Sequence, residues 1–130
     1  MLKPSDYEKK LQEYFNNNQY DDALIYLEGL NSSGNLDTDF KKEVISQIGK
    51  IHFYSDRIKE ARKSCMDILD IDPTDFYARI FLARILEKEG KPKSAMKLLK
   101  NVYNSNKNRE HLIYFIKELI SELKHDDNEI

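Results

Sequence analysis

The side chains best suited to catalysis or metal binding are three histidines, one cysteine and an acidic run near the end of the chain. The histidines are His52, His111 and His125, and the cysteine is Cys65. None of their spacings is typical of metal ligands, and no glycine-rich phosphate loop is present. We expect His52 to be a hydrogen-bonded core histidine and Cys65 a small inert core residue. The sequence therefore predicts a protein that is not an enzyme and binds neither metal nor cofactor.

Composition restricts the class of protein and the class of partner. The 130 residues are 40% apolar and 34% charged with only four glycines, a balance typical of one soluble helical domain over residues 1–130. A net charge of -2 gives no basic field for phosphates, so we expect no nucleic acid and no membrane as partner. A single cysteine permits no internal disulfide and no signal-length apolar stretch opens the chain, so we predict a cytoplasmic location.

Three short segments repeat along the chain. Ala61 and Ala95 lie 34 residues apart within matching segments, 58–61 and 92–95, and segment 20–23 matches at a longer interval of 38. A period of this length is typical of stacked helical hairpins. We expect a small residue to be required at both positions because two helices cross closely there. Replacing either alanine by leucine should therefore lower the free energy of unfolding by about 1–3 kcal/mol through overpacking.

Apolar spacing and end signals predict seven helices and no strand. Asp37 or Thr38 is the expected cap of the third helix, and Thr74 or Asp75 of the fifth. Asp72-Pro73 should stop the fourth helix because proline cannot continue the backbone ladder. The first helix is predicted at about 5–16, the second over the apolar residues 23–30, and the third from its cap at 37 or 38 over the apolar residues 40–52. The remaining helices are predicted at about 58–71, from the cap at 74 or 75 to 89, at 92–103 and at 109–124.

Small and apolar residues recur at matching places in the hairpins and resemble the tetratricopeptide repeat. The residues that carry the likeness are Tyr7, Leu11, Tyr14, Tyr20, Ala23, Leu27 and Leu30, then Ile45, Ile48, Gly49, His52, Ala61, Cys65, Ile68 and Pro73, then Arg79, Leu82, Ala83, Leu86, Gly90, Ala95, Leu99 and Val102. The resemblance implies an all-α fold, a right-handed superhelical array of antiparallel helix hairpins. Its repeats would span about 4–37, 42–75 and 76–109, followed by a capping helix at about 109–124 and a frayed acidic tail at 125–130. The chain departs from the family in lacking tryptophan and in an insertion around 38–41.

The resemblance also implies a concave groove lined by the first helix of each hairpin. We expect a non-catalytic interaction module or adaptor there, chaperone-like in character, that binds a peptide or helix of a partner protein. Five places that hold a carboxylate in chaperone-binding relatives read Glu8, Gln12, Gln47, Tyr77 and Phe81, a set that cannot replace cations. The alternative is that the aromatic residues only pad the surface or pack between repeats. The candidate groove residues are Gln12, Gln47, Lys50, Tyr54, Tyr77, Phe81, Arg84, His111 and Tyr114.

The last helix carries a second candidate surface. Its apolar residues occupy an arc of about 160 degrees, wider than the stripe expected of a helix that packs on one side. A second copy of the chain, a downstream segment or further domain of a longer polypeptide, or a partner protein would cover the excess. In the first two cases the protein would be a structural or self-associating subunit, such as a homodimer. The alternative is a cap that buries its whole arc against the third repeat. The candidate oligomer or docking face is Phe115, Ile116, Leu119, Ile120 and Leu123.

Overall fold

The computed structural model describes residues 4–106, 114 and 116–123. Seven helices and no strand lie in these residues, which confirms the predicted all-helical fold. Contacts join the first six helices, each to the next, in an array of helical hairpins. The helices are α1 (Pro4–Asn16), α2 (Tyr20–Ser32), α3 (Thr38–Tyr54), α4 (Ile58–Ile71), α5 (Phe76–Lys88), α6 (Pro92–Ser105) and α7, of which 116–123 is described.

Aspartates cap the first helix in two of the three hairpins, at the starts of α3 and α5. The Asp37 carboxylate accepts a hydrogen bond from the Phe40 amide at 2.8 Å, and Asp75 accepts one from Ala78 at 2.9 Å. Each aspartate was one of two predicted candidates, and each satisfies an amide that has no partner inside its helix. The fourth helix ends at Ile71, directly before the predicted stop.

The turn inside each hairpin has the same backbone conformation. Asn18, Asp56 and Gly90 have φ angles of 57, 64 and 79 degrees, in the left-handed region. The amide of the residue that follows each of them donates to a carbonyl five residues back, at 2.8 Å in all three turns. This is a Schellman-type end, which allows the chain to reverse within three residues.

Helices α3 and α4 approach each other closely at Gly49. A β-carbon built on Gly49 would lie 2.9 Å from the β-carbon of Ser64. Ala61, in the same hairpin, and Ala95, in the next, are fully buried. The prediction that small residues mark close helix crossings is confirmed at Gly49.

The insertion at 38–41 forms one additional turn at the start of α3. This helix has 17 residues, whereas α1 and α5 have 13 each. Directly after that turn, the Lys42 ammonium donates to Asp72 at 3.1 Å and to Asp75 at 3.0 Å. These bonds, Asp75 first, raise the pKa of Lys42 and tie the start of α3 to the start of α5.

The described part of α7 packs against the third hairpin. Ile116, Leu119 and Leu123 are buried in one cluster with residues of α5 and α6, among them Ile80 and Leu99. These three side chains are therefore not available as an oligomer or docking face, and we correct that expectation. The described apolar residues of α7 therefore pack against two helices, α5 and α6. Ile120 is only partly buried, and Phe115 lies outside the described residues.

Candidate functional site

A groove of about 540 Å³ lies between α3 and α5, with α4 forming part of its floor. The floor comes from small and apolar side chains, namely Gly49, Ser64, Cys65, Ile68, Ala78 and Ile80. Because Gly49 has no side chain, α4 approaches α3 closely enough for its residues to reach the groove. Five of the predicted groove residues line it: Lys50, Tyr54, Tyr77, Phe81 and Arg84.

The three aromatic residues of the groove differ in their role. Tyr54 is 80% exposed and Tyr77 is 65% exposed, so both present most of their ring to solvent. Phe81 is half-buried, and its ring centroid lies 5.4 Å from that of Phe53. It also packs against the buried cluster that contains Cys65. Phe81 therefore supports the floor, and the two tyrosines are the rings free to contact a ligand.

Each exposed tyrosine ring of the groove contacts the ring of the phenylalanine that precedes it in the chain. The Tyr54 ring lies 5.3 Å from Phe53 in an edge-to-face contact, and the Tyr77 ring lies 4.3 Å from Phe76. Such aromatic pairs add about 0.5–1.5 kcal/mol beyond burial, and they restrict the rings that they hold. The groove thus has two positioned aromatic side chains before any ligand arrives.

Charged residues of both signs line the groove. Lys50 and Arg84 are exposed and form no ion pair with any residue that the structure describes. Asp39 and Glu43 lie on the first turns of α3, where Glu43 accepts a hydrogen bond from Gln47 at 2.9 Å. Gln47 is neutral, so the Glu43 charge is not compensated by this contact.

A second pocket, of about 530 Å³, adjoins the groove on the side of the first hairpin. Lys50 and Tyr54 line both, and Gln47 lines only the second. Phe15 and Tyr20 form its far wall, with ring centroids 5.8 Å apart. Tyr20 was not among the predicted groove residues because its spacing marks it equally well as a packing residue. Its place at a helix start beside Phe15 was the signal available.

The remaining predicted groove residues lie elsewhere. Gln12 lines neither pocket, and its side-chain amide donates to Asn16 at 2.8 Å on the exposed face of α1. Tyr114 is exposed, and a hydrogen bond to Glu118 raises its pKa. His111 lies outside the described residues.

Of the candidates for chemistry, His52 and Cys65 are engaged within the fold, and His111, His125 and the acidic run lie outside the described residues. The Nδ1 atom of His52 accepts a hydrogen bond from Nε of Arg57 at 2.9 Å. Burial, and then the Arg57 charge, lower the pKa of His52. Burial raises the pKa of Cys65 to about 12, so its thiol stays protonated at neutral pH. Within 4–106, 114 and 116–123, no cluster of three or more histidine, cysteine, aspartate or glutamate residues could hold a metal ion.

Comparison with known proteins agrees with the repeat geometry. The tetratricopeptide repeat family model matches residues 43–75, which cover most of the hairpin formed by α3 and α4. A search of curated proteins found no similar sequence. No helix among the described residues has both the length and the apolar content needed to cross a bilayer. The family match to one hairpin and the array of helical hairpins together support a tetratricopeptide-repeat-like protein.

Proposed function

We propose that this protein is a non-catalytic interaction module that holds a peptide or a single helix of a partner protein in the groove between α3 and α5. Repeats of this family generally mediate contacts between proteins. A groove that takes an apolar segment also suits an adaptor with a chaperone-like role. The buried thiol of Cys65 needs no oxidising environment, which favours the cytoplasm as the place of action.

The observation that carries the proposal is the pair of exposed tyrosines at a groove with an apolar floor. Tyr54 projects from α3 and Tyr77 from α5, and each ring already contacts a neighbouring phenylalanine. Tyrosine gives a large contact area with only two side-chain torsions, so little conformational entropy is lost on binding. Rigid helices reduce that cost further because the backbone is ordered before the partner docks. The groove therefore has the features of a preorganised peptide site.

A random dodecapeptide library displayed on phage tests the proposal without knowledge of the natural partner. Peptides selected on the intact protein should bind with their contacts at the groove. Titration of one synthetic peptide into isotope-labelled protein should shift the amide signals of Lys50, Tyr77 and Arg84. The double variant Tyr54→Ala/Tyr77→Ala should bind the same peptide at least about tenfold more weakly, since central aromatic contacts often contribute 1–2 kcal/mol or more.

A matched control removes two exposed apolar side chains from outside the groove. Ile25→Ala/Met66→Ala changes α2 and α4, and neither residue lines the groove or the second pocket. This variant should keep the wild-type affinity. Signal shifts confined to α2 and α6, which do not line the groove, or equal affinity for the two double variants, would show that peptides bind elsewhere and would contradict the proposal.

A further inference from the structure

We infer that the groove recognises a partner segment with an acidic residue at one end and a basic residue at the other, and that the groove charges fix which way the segment lies. The inference rests on the proposed function, because it specifies the ligand of the same groove. It depends on three observations: the relative direction of α3 and α5, the charges at each end, and the distance between those charges.

Helices α3 and α5 run side by side in the same direction along the groove. Lys42, near the start of α3, bonds Asp75, the cap of α5, at 3.0 Å. Farther along both helices, Phe53 of α3 lies 5.4 Å from Phe81 of α5 between ring centroids. Residues early in α3 therefore contact the start of α5, and residues late in α3 contact residues farther along α5, so the two helices are parallel. The first turns of α3 and α5 form one end of the groove, and their later turns form the other.

The later turns carry the cations. Lys50 lies on α3 and Arg84 on α5, and both line the groove and are exposed. Neither forms an ion pair or a side-chain hydrogen bond with a residue in the described part of the chain. Both can therefore bind an incoming carboxylate without first losing a partner. Tyr54 lies at the same end, so the acidic group would arrive next to an exposed ring.

The early turns carry an excess of acid. Asp39 and Glu43 line this end, and neither is paired with a described cation. Lys41 and Lys42 are the cations nearest to them along α3; Lys41 does not line the groove, and Lys42 is already shared between Asp72 and Asp75. Its charge is therefore fully matched inside the protein. A positively charged side chain of a ligand would be favoured at this end.

The spacing of the charges sets the length of the segment. Glu43 and Asp39 precede Lys50 by seven and eleven residues, or about 10 and 16 Å along a helix axis. An extended peptide advances about 3.3 Å per residue, so its acid and base should be separated by about three to five residues. The residues between them would face the apolar floor and the ring of Tyr77. The partner segment thus has an acidic residue, then a short apolar stretch, then a basic residue.

Phage selection with charge-reversed variants tests the inference. Dodecapeptides selected on the wild-type protein should be enriched in acid and base pairs at this separation. Lys50→Glu/Arg84→Glu should bind a synthetic wild-type-selected peptide at least about tenfold more weakly, and the variant should select peptides lacking the acid. The matched control, Lys59→Glu/Lys97→Glu, makes the same class of change at exposed positions on α4 and α6 and should leave affinity unchanged.

A nitroxide label next to the acidic residue of that peptide reports its direction. It should broaden the amide signals of Lys50 and Arg84 more than those of Asp39 and Glu43, and a label at the basic end should do the reverse. The inference would be overturned if groove-bound peptides lacked the acid and base pair at this separation, or if each label broadened the signals of both groove ends equally. Either result would leave the proposed function standing. Failure of any selected peptide to map to the groove would overturn both.

Discussion

Gly49 and Gly29 both lie inside helices, yet their surroundings predict opposite effects of the same substitution. A β-carbon at Gly49 would meet Ser64 at 2.9 Å, whereas one at Gly29 would meet nothing within 4 Å. Gly29→Ala should raise the free energy of unfolding by about 0.5–1 kcal/mol because alanine favours the helix. Gly49→Ala should lower it by about 1–2 kcal/mol because overpacking outweighs that gain.

Urea unfolding of the two variants checks this prediction. Adding Ser64→Gly to Gly49→Ala should recover part of the loss, since it removes the atom that the new methyl group meets. Equal stabilisation by both alanines would show that α3 and α4 do not cross at Gly49.

His52 gives the fold a dependence on mildly acidic pH. Its pKa is lowered from 6.5 by burial and by Arg57, which donates to its Nδ1 atom. The unfolded chain therefore binds a proton at a higher pH than the folded chain. The stability that the fold gains from a neutral His52 is fully present above about pH 6.5. It falls as the pH drops from that value to the pKa of His52 in the folded protein.

Chemical unfolding at pH 7.5 and 5.5 measures this effect. His52→Leu should lose less stability between the two pH values than the wild type, because it has no group to protonate at this site. The other two histidines are present in both proteins, so the difference reports on His52 alone. An identical pH dependence would contradict the assignment.

At the scale of the element, the hairpin turns repeat more faithfully in backbone than in sequence. Asp56 has a φ of 64 degrees where the next hairpin has Gly90, which adopts 79 degrees without steric cost. Asp56→Gly should therefore stabilise the protein by about 0.5–1 kcal/mol, and Gly90→Ala should destabilise it by about 1 kcal/mol. Thermal unfolding followed by circular dichroism tests both, and a loss of stability in Asp56→Gly would count against the left-handed turn.

Sequence spacing predicted the helices because their end signals are local. Asp72-Pro73 fixes the end of α4 without reference to the rest of the fold, and Asp37 needs only the amide of Phe40. The conformation of the insertion could not be predicted in this way, since 38–41 continues a helix that already satisfies the apolar pattern. Its effect is long-range, through the contact of the next residue, Lys42, with a distant turn.

The sequence predicted which residues share the groove face of each helix, but not the role of each residue within the groove. Periodicity places Tyr77 and Phe81 on the same stripe of α5, and nothing in their spacing distinguishes them. Phe81 is half-buried because α3 brings Phe53 to it across the repeat boundary. The last helix presents the same difficulty: a helical projection gives the width of its apolar arc but not the two helices against which its described apolar residues pack.

At the scale of the whole molecule, binding and stacking use the same surfaces. The groove lies between the first helices of two successive hairpins, so its walls exist only while α3 and α5 stay packed. The bonds from Lys42 to Asp72 and Asp75 hold them together at one end, and Phe53 and Phe81 do so at the other. A change that loosens this boundary should therefore weaken ligand binding even where it leaves every groove residue in place.

The first hairpin is the least firmly held part of the described array. Helix α1 buries only Tyr7 and Leu11 among its described residues, whereas α3 buries five. The buried Tyr7 hydroxyl and Asn31 amide oxygen have no hydrogen-bond partner among the residues that the structure describes, which costs about 1–3 kcal/mol per group. Local opening should consequently begin at this hairpin, with exchange of its amide hydrogens ahead of the rest. Such opening would dismantle the second pocket, which needs Phe15 and Tyr20, and would leave the groove between α3 and α5 intact.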